Sequence, residues 1–483
     1  MTLMRHDTVN KGKRADANLD QTRGRLVVAS NRLPSLQPAA SEAERRSMEV
    51  GGLVTAVRSA LLQRGGIWFG WSGHISESNA RVRPAISPVE TFELAAINLT
   101  QQEADLFYNE FSNRTLWPLL HSFPAKMNID REAYSVYLRT NRRYAEALVS
   151  LLREDDLVWV HDYHLLPLGR ELRQLGWKGK VGWFLHTPFP PAEVFTILPW
   201  SGRFLDMLLD YDLVGLHTRR YANNLFDSLS WELDGSVLGN SVVVGQRSLR
   251  VGIYPIGIDP EAFRPVAGQS DNDKNSELIP TDSNHQIILG VDRLDYTKGI
   301  PQRLLTFEQL LDRHPDLRGQ VSMVQISSPS RREVPEYLEE QHQVDLLVGH
   351  INGRFSDADW IPIRYLYRSY PQTELVSFYR LADICLVTPL RDGMNLVAKE
   401  FVASQGDDPG VLVLSKFCGA AYTMRDALIV NPYDIEGTSE ALYRALTMSR
   451  QERQARWEGL MQDVGNNTSR RWCEAFLAEL SAL

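Results

Sequence analysis

The chain has 483 residues, and its 52 Lys+Arg against 60 Asp+Glu give a formal net charge of −8. At about 100–200 residues per domain this length predicts two to four domains, each able to bury its own core. Hydrophobic residues at 43% with charged residues at 23% exclude wholesale disorder and fibrous repeats, and the acidic balance argues against a nucleic-acid binder held by phosphate contacts.

Residues 1–24 are polar and mixed in charge, with no apolar core and no small-residue cleavage site, so they read as a disordered tail rather than a signal. No stretch approaches the roughly 18 uninterrupted apolar residues of a membrane span. Cys385, Cys418 and Cys473 are far apart in sequence, too few for a disulfide framework and at no zinc spacing. A soluble, cytoplasmic protein is expected, with no membrane and no nucleic acid among its partners.

The ordered part opens with a strand signal over 25–30. A polar stretch then runs to Glu49, and Gly51-Gly52-Leu53 opens a helical pattern with apolar Leu53, Val57, Ala60 and Leu61. Short apolar runs recur at 157–160, 181–185, 213–216, 286–290, 321–325, 384–387 and 411–414, alternating with helical stretches. Runs that are apolar on both faces fit parallel strands covered by helices, so the class is α/β with doubly wound sheets. The polar stretch 266–284 divides the chain. An N-terminal domain over 25–265 and a C-terminal domain over 285–460 are expected, with a final helix over 461–483 whose docking partner the sequence does not state.

Ligands of open parallel sheets bind beyond the C-terminal ends of strands. Four such places are unusually polar: His161-Asp162-Tyr163-His164, His186-Thr187-Pro188, Asp292-Arg293-Leu294-Asp295 leading to Lys298-Gly299, and Arg391-Asp392-Gly393-Met394-Asn395-Leu396 leading to Glu400. In the last, Gly393 permits close backbone approach and Asn395 can cap the following helix, whose positive end attracts phosphate. Glu400, about two turns on, can accept hydrogen bonds from sugar hydroxyls. Arg293 and Lys298 supply two cations for a diphosphate, unless they are merely solvated loop charges. His186 reads equally as a packing histidine at a strand end. Tyr108 and Trp117 form either a sugar platform or part of the core.

Other patterns carry less. The spacing of His161 and His164 suits a metal, but no third ligand is near. Asp357-Ala-Asp359 and Asp271-Asn-Asp273 are too short to be specific, and Glu232-Leu-Asp-Gly-Ser236 has Glu where a phosphatase needs its Asp nucleophile. No Gly-x-Gly-x-x-Gly follows the first strand, which removes a dinucleotide oxidoreductase.

Taken together, VASNR (28–32), GGL (51–53), WFGWSG (68–73), HDYHLLP (161–167), FLHTPFP (184–190), YPIGID (254–259), VDRLDYTKGI (291–300) and TPLRDGMNLVAKEF (388–401) resemble glycosyltransferase family 20. The resemblance runs from about Arg25 to the C-terminus. It implies a GT-B fold, two Rossmann-like domains facing an inter-domain cleft. The reaction it implies is retaining transfer of glucose from a nucleotide-glucose, UDP-glucose in the first instance, to glucose-6-phosphate, with no metal or other cofactor.

Carried over position by position, the resemblance places Arg32, Tyr108, Trp117, Asp162 and Arg331 on the acceptor, the two arginines gripping its phosphate. Gly52, His186, Arg293, Lys298, Asp392, Gly393, Met394, Asn395, Leu396 and Glu400 fall on the donor. Asp162, His186, Arg293, Lys298 and Asp392 sit about the reacting centre. No enzymic nucleophile is implied.

Two features qualify this picture. After Phe417-Cys418-Gly419-Ala420-Ala421 the family usually continues with Glu-Leu, whereas this chain has Tyr422-Thr423-Met424, a change expected near the nucleotide. Competing readings are a glucosylglycerol-phosphate synthase, whose acceptor is glycerol-3-phosphate, and a catalytically silent regulatory member. The segments around Arg32 and Arg331 favour glucose-6-phosphate over the first, and retention of Arg32, Asp162, His186, Arg293, Lys298, Asp392 and Glu400 argues against the second. Room is left for a homo-oligomer, dimer or tetramer.

Overall fold

The computed structural model describes residues 24–34, 52–77, 83–264 and 285–483. The expected tail, apart from Gly24, and the expected linker over 266–284 lie outside these residues, as does the polar stretch 35–51.

Two sheets account for the two halves. The first runs β1 (Leu26–Arg32), β2 (Gly66–Ser76), β3 (Ala85–Val89), β4 (Phe92–Thr100), β5 (Leu157–His161), β6 (Val181–Phe184), β7 (Leu213–Leu216), β8 (Ser236–Leu238), β9 (Ser241–Val244) and β10 (Arg247–Ile253). Its ten strands lie in the order β3-β4-β2-β1-β5-β6-β7-β10-β9-β8. They are parallel from β4 through β10, with antiparallel β3 at one edge and the β9–β8 hairpin at the other. The second sheet holds β11 (Gln286–Arg293), β12 (Val321–Ser328), β13 (Ile363–Leu366), β14 (Ile384–Val387), β15 (Val411–Ser415) and β16 (Leu428–Val430), all parallel, in the order β13-β12-β11-β14-β15-β16. Strand order reverses beside β1 in the first sheet and beside β11 in the second. At such switch points the connecting loops diverge and open a crevice. The ends of β1, β5, β6, β11, β12 and β14 carry the residues that matter below.

Alternation along each strand explains why the apolar runs are unbroken. Val27 and Ala29 of β1 face one core and Leu26 and Val28 the other, so both faces are covered. The second of these cores is shared: it joins the inner face of the first sheet to Ile287, Leu289 and Val291 of β11 and to Phe401 and Val402 of the helix Val397–Ser404. Apolar burial therefore runs continuously between the halves.

The last helix, Ser469–Ala482, docks back on the first sheet, an answer absent from the sequence. Phe476 stacks on Trp159 at 4.7 Å and packs where β6 and β7 present Gly182 and Gly215, at which an added Cβ would come within 2.8 Å of its ring. The strands β2 and β4, the short outer strands and the hairpin were not legible as strands. Glycines interrupt β2, and the apolar residues of β4 stand among Glu93, Asn98 and Thr100 and not in one unbroken run.

Candidate active site

At the C-terminal end of β14, the Lys298 Nζ donates to Asp392 Oδ2 at 2.6 Å, and Asn395 Nδ2 donates to the same oxygen at 3.2 Å. Asn395 Oδ1 in turn accepts from the Ala398 backbone N–H at 3.2 Å, so it caps the helix Val397–Ser404 as expected. Burial pushes the Asp392 carboxyl up, but the adjacent Lys298 ammonium outweighs it and the net shift is downward. Lys298 and Asp392 thus form a charged pair at a helix N-terminus, where unpaired backbone amides favour an anion. Arg293, at the exposed end of β11, lies 5.8 Å over the Trp117 ring. Glu400 accepts from Tyr379 O–H at 2.9 Å through one carboxylate oxygen.

The opposite wall comes from the first sheet. Asp162 follows β5 and His186 follows β6, and the His186 backbone N–H reaches Asp162 Oδ1 at 3.4 Å. Burial pushes the Asp162 carboxyl up to about 6, with Arg331 and Arg293 among the groups that restrain the rise. Gly393 brings the walls together: a Cβ there would sit 1.9 Å from the His186 carbonyl oxygen. The Tyr221 O–H also crosses, donating to the Asp392 carbonyl at 2.9 Å.

Arg331 is held more completely than any local pattern suggests. Its guanidinium lies 4.1 Å over Trp117, donates to Tyr163 Oη at 3.2 Å and to Tyr337 Oη, and lies 3.8 Å from Asp295 Oδ2. Tyr337 O–H donates to Asp295 at 3.1 Å, closing the network. Arg32, exposed at the end of β1, lies 5.5 Å over Trp71, whose ring is 5.9 Å from Tyr108. Trp117 is buried between Arg331 and the His121 ring, which is 4.0 Å away. It supports the cations and is not an open platform. Tyr108, half-buried, stacks on His164 at 5.8 Å.

Tyr108 and Trp117 share a side because Glu103–Leu116 is wound as a π-helix. Nine residues at the α-helical ~100° each would set them on opposite faces, whereas at about 4.4 residues per π turn they return to nearly the same one. Backbone strain marks the same place. Of the six described non-glycine residues with positive φ, three are Asp162 (71°), Arg331 (44°) and Asn395 (81°). Such conformations persist only where surrounding contacts over-determine them.

The structure brings Asp162, His186, Arg293, Lys298, Trp117, Arg331, Asp392, Gly393 and Asn395 to one inter-sheet cleft, with Arg32 and Tyr108 at its rim. Met394 is buried beneath the loop, Leu396 precedes the helix, and Gly52 begins the helix Gly52–Arg64. Sequence reasoning gave no role to Tyr163, Asp295 or His121, which adjoin named site residues, nor to Tyr337 and Tyr221, which reach the site from distant elements. Of Tyr422-Thr423-Met424, Met424 is buried, Thr423 is half-buried with its Oγ1 donating to Asp463 at 2.9 Å, and Tyr422 is exposed. Among the described residues no cluster of three His, Cys, Asp or Glu side chains could hold a metal ion, and no helix is long and apolar enough to cross a membrane.

Residues 24–482 match the family description glycosyltransferase family 20. The trehalose-6-phosphate synthase of Sodalis glossinidius is 41% identical over 95% of this chain and 96% of its own length. The UDP-forming alpha,alpha-trehalose-phosphate synthase of Candida albicans is 40% identical over 95% and 97%. Among solved structures, the Escherichia coli enzyme bound with UDP-2-fluoro glucose superposes with a TM-score of 0.89 at 40% identity, covering 95% of this chain and 99% of that one. The Burkholderia xenovorans enzyme in complex with glucose-6-phosphate superposes with a TM-score of 0.88 at 39% identity, covering 95% and 100%. The two-sheet GT-B fold, the cleft at its switch points and these full-length likenesses agree, and the chain belongs to glycosyltransferase family 20.

Proposed function

We propose that this chain transfers glucose from UDP-glucose to glucose-6-phosphate with retention at the anomeric carbon, giving trehalose 6-phosphate and UDP. The observation that carries this reading is the grouping of cations in one cleft. The Lys298–Asp392 pair stands at a capped helix N-terminus, Arg331 stands over Trp117, and Arg293 lies over the same ring. Two phosphorylated substrates need two such grips.

In the transfer, the bond from the glucose anomeric carbon to the diphosphate breaks and negative charge grows on the leaving oxygen. Arg293, Lys298 and the amides at the start of Val397–Ser404 would stabilise that charge without a metal. Arg331 and Arg32 would hold the acceptor phosphate, and Asp162 and His186 would line the sugar site. The departing phosphate oxygen takes the proton of the acceptor hydroxyl on the same face, so no carboxylate needs to form a glucosyl ester. Asp392 is committed to Lys298 and Asn395, which suits a positioning group better than a nucleophile.

A donor-by-acceptor matrix tests the assignment: UDP-, ADP- and GDP-glucose against glucose-6-phosphate and glycerol-3-phosphate. Turnover with UDP-glucose and glucose-6-phosphate is the expected result. Turnover only with glycerol-3-phosphate, or with no pair, would overturn it.

A further inference from the structure

Behind the sugar wall, His186 is paired with a second histidine, His161, to which the transfer has so far given no role. His161 Nδ1 and His186 Nε2 are 3.0 Å apart, with ring centroids 5.3 Å apart and planes at 21°. That combination puts the rings edge to edge in nearly one plane, the geometry of an in-plane N–H···N hydrogen bond. His161 is buried against Trp159, at 4.5 Å, and Trp472, at 6.1 Å, and its Nε2 has no partner. His186 is half-buried and its Nε2 faces His161, so Nδ1 is its one ring nitrogen not engaged in the pair.

Burial holds both rings neutral, so one nitrogen of the pair donates and the other accepts. If His186 donated, His161 would carry its own proton on Nε2, an orphaned donor in an apolar cage. If His161 donates, its Nε2 keeps only a lone pair. Unpaired buried N–H groups are the rarer and costlier of the two.

We infer that His161 is a positioning residue for the transfer: its Nδ1–H donates to His186 Nε2 and fixes His186 as the tautomer presenting an Nδ1–H to the transferred sugar. With its other nitrogen free to donate, His186 can hold a sugar hydroxyl oxygen and set the anomeric carbon against the acceptor. The inference rests on the glucosyl-transfer reading for its consequence, but not for the tautomer.

Two substitutions at position 161 separate positioning from packing. His161→Phe fills the space and removes the donor, whereas His161→Asn can place an amide N–H where Nδ1 stood. In the full chain, His161→Phe is expected to lower kcat on the order of 10- to 100-fold, as misplacing a group that positions the substrate can. His161→Asn is expected to recover most of that loss. Equal impairment of both variants, or of neither, would overturn the inference. Independently of turnover and of variant folding, 15N NMR of histidine-labelled wild-type protein reads the tautomer directly. A protonated Nδ1 on His186 supports the inference, and a protonated Nε2 contradicts it even if the glucosyl transfer is confirmed.

Discussion

At the scale of single residues, Arg331 and Asp162 carry the sharpest consequences. Arg331 is fixed by Trp117, Tyr163, Tyr337 and Asp295 before any substrate arrives, so its contribution falls on binding an anion and not on organising a loop. Arg331→Ala is expected to raise the KM for glucose-6-phosphate about 10- to 100-fold, as loss of a charge-assisted hydrogen bond would. The KM for UDP-glucose should change far less, and equal effects in steady-state kinetics would remove Arg331 from the acceptor side. Asp162 has its carboxyl raised to about 6 by burial. Between the ordinary carboxylate value near 4 and that raised value, the folded state holds the proton that the unfolded chain has released. This group's contribution to stability therefore falls as pH rises through that window. Activity runs the other way if the carboxylate accepts from a sugar hydroxyl. A pH–kcat/KM profile is expected to rise through about pH 6, and Asp162→Asn to lose that limb. At this scale the sequence was partly legible. Asp392, Asn395, Lys298 and Arg293 follow apolar strands, where parallel sheets place ligands. Arg331 follows β12 but entered only by resemblance, because the groups that hold it are scattered from Trp117 to Tyr337 and leave no local pattern.

At the scale of elements, three devices position the chemistry. The π-helix Glu103–Leu116 turns Tyr108 and Trp117 to one side, which no helical periodicity of about 3.6 residues would reveal. The helix Val397–Ser404 has its N-terminus capped by Asn395, which the spacing did reveal. Gly393 lets the loop before that helix touch the His186 carbonyl. Gly393→Ala would force the two walls apart at that contact, and a misplacement of about 1 Å can cost on the order of 100-fold in rate. We expect kcat to fall by that order while UDP binding in calorimetry persists; unchanged kcat would show that the walls need not touch there. The last helix is a different case. Its amphipathic pattern was plain, but its partner surface, the glycine notch of β6 and β7, belongs to strands far earlier in the chain. Phe476→Ala is expected to cost about 3–5 kcal/mol in denaturant unfolding. A change under about 1 kcal/mol would mean that the docking is incidental.

For the whole molecule, the net charge of −8 describes the exterior, whereas the cleft gathers Arg32, Arg293, Lys298 and Arg331. Phosphorylated substrates are drawn inward by this exception. The halves are bound by more than the shared apolar core: Arg114 donates to Glu336 at 3.0 Å, Asn109 to Glu333 at 3.3 Å, and Lys399 Nζ to the Ile256 carbonyl at 3.0 Å. Each joins an element of one sheet's layer to an element of the other's, so the cleft is a property of the complete chain. The central claim is that this cleft moves glucose from UDP-glucose to glucose-6-phosphate without inverting its anomeric carbon. Proton NMR of the product formed from those two substrates tests it most directly. The expected product is a phosphorylated non-reducing disaccharide with both anomeric protons in the α configuration, appearing with one UDP per linkage. A β-linked product, or UDP released with free glucose and no disaccharide, would contradict the account.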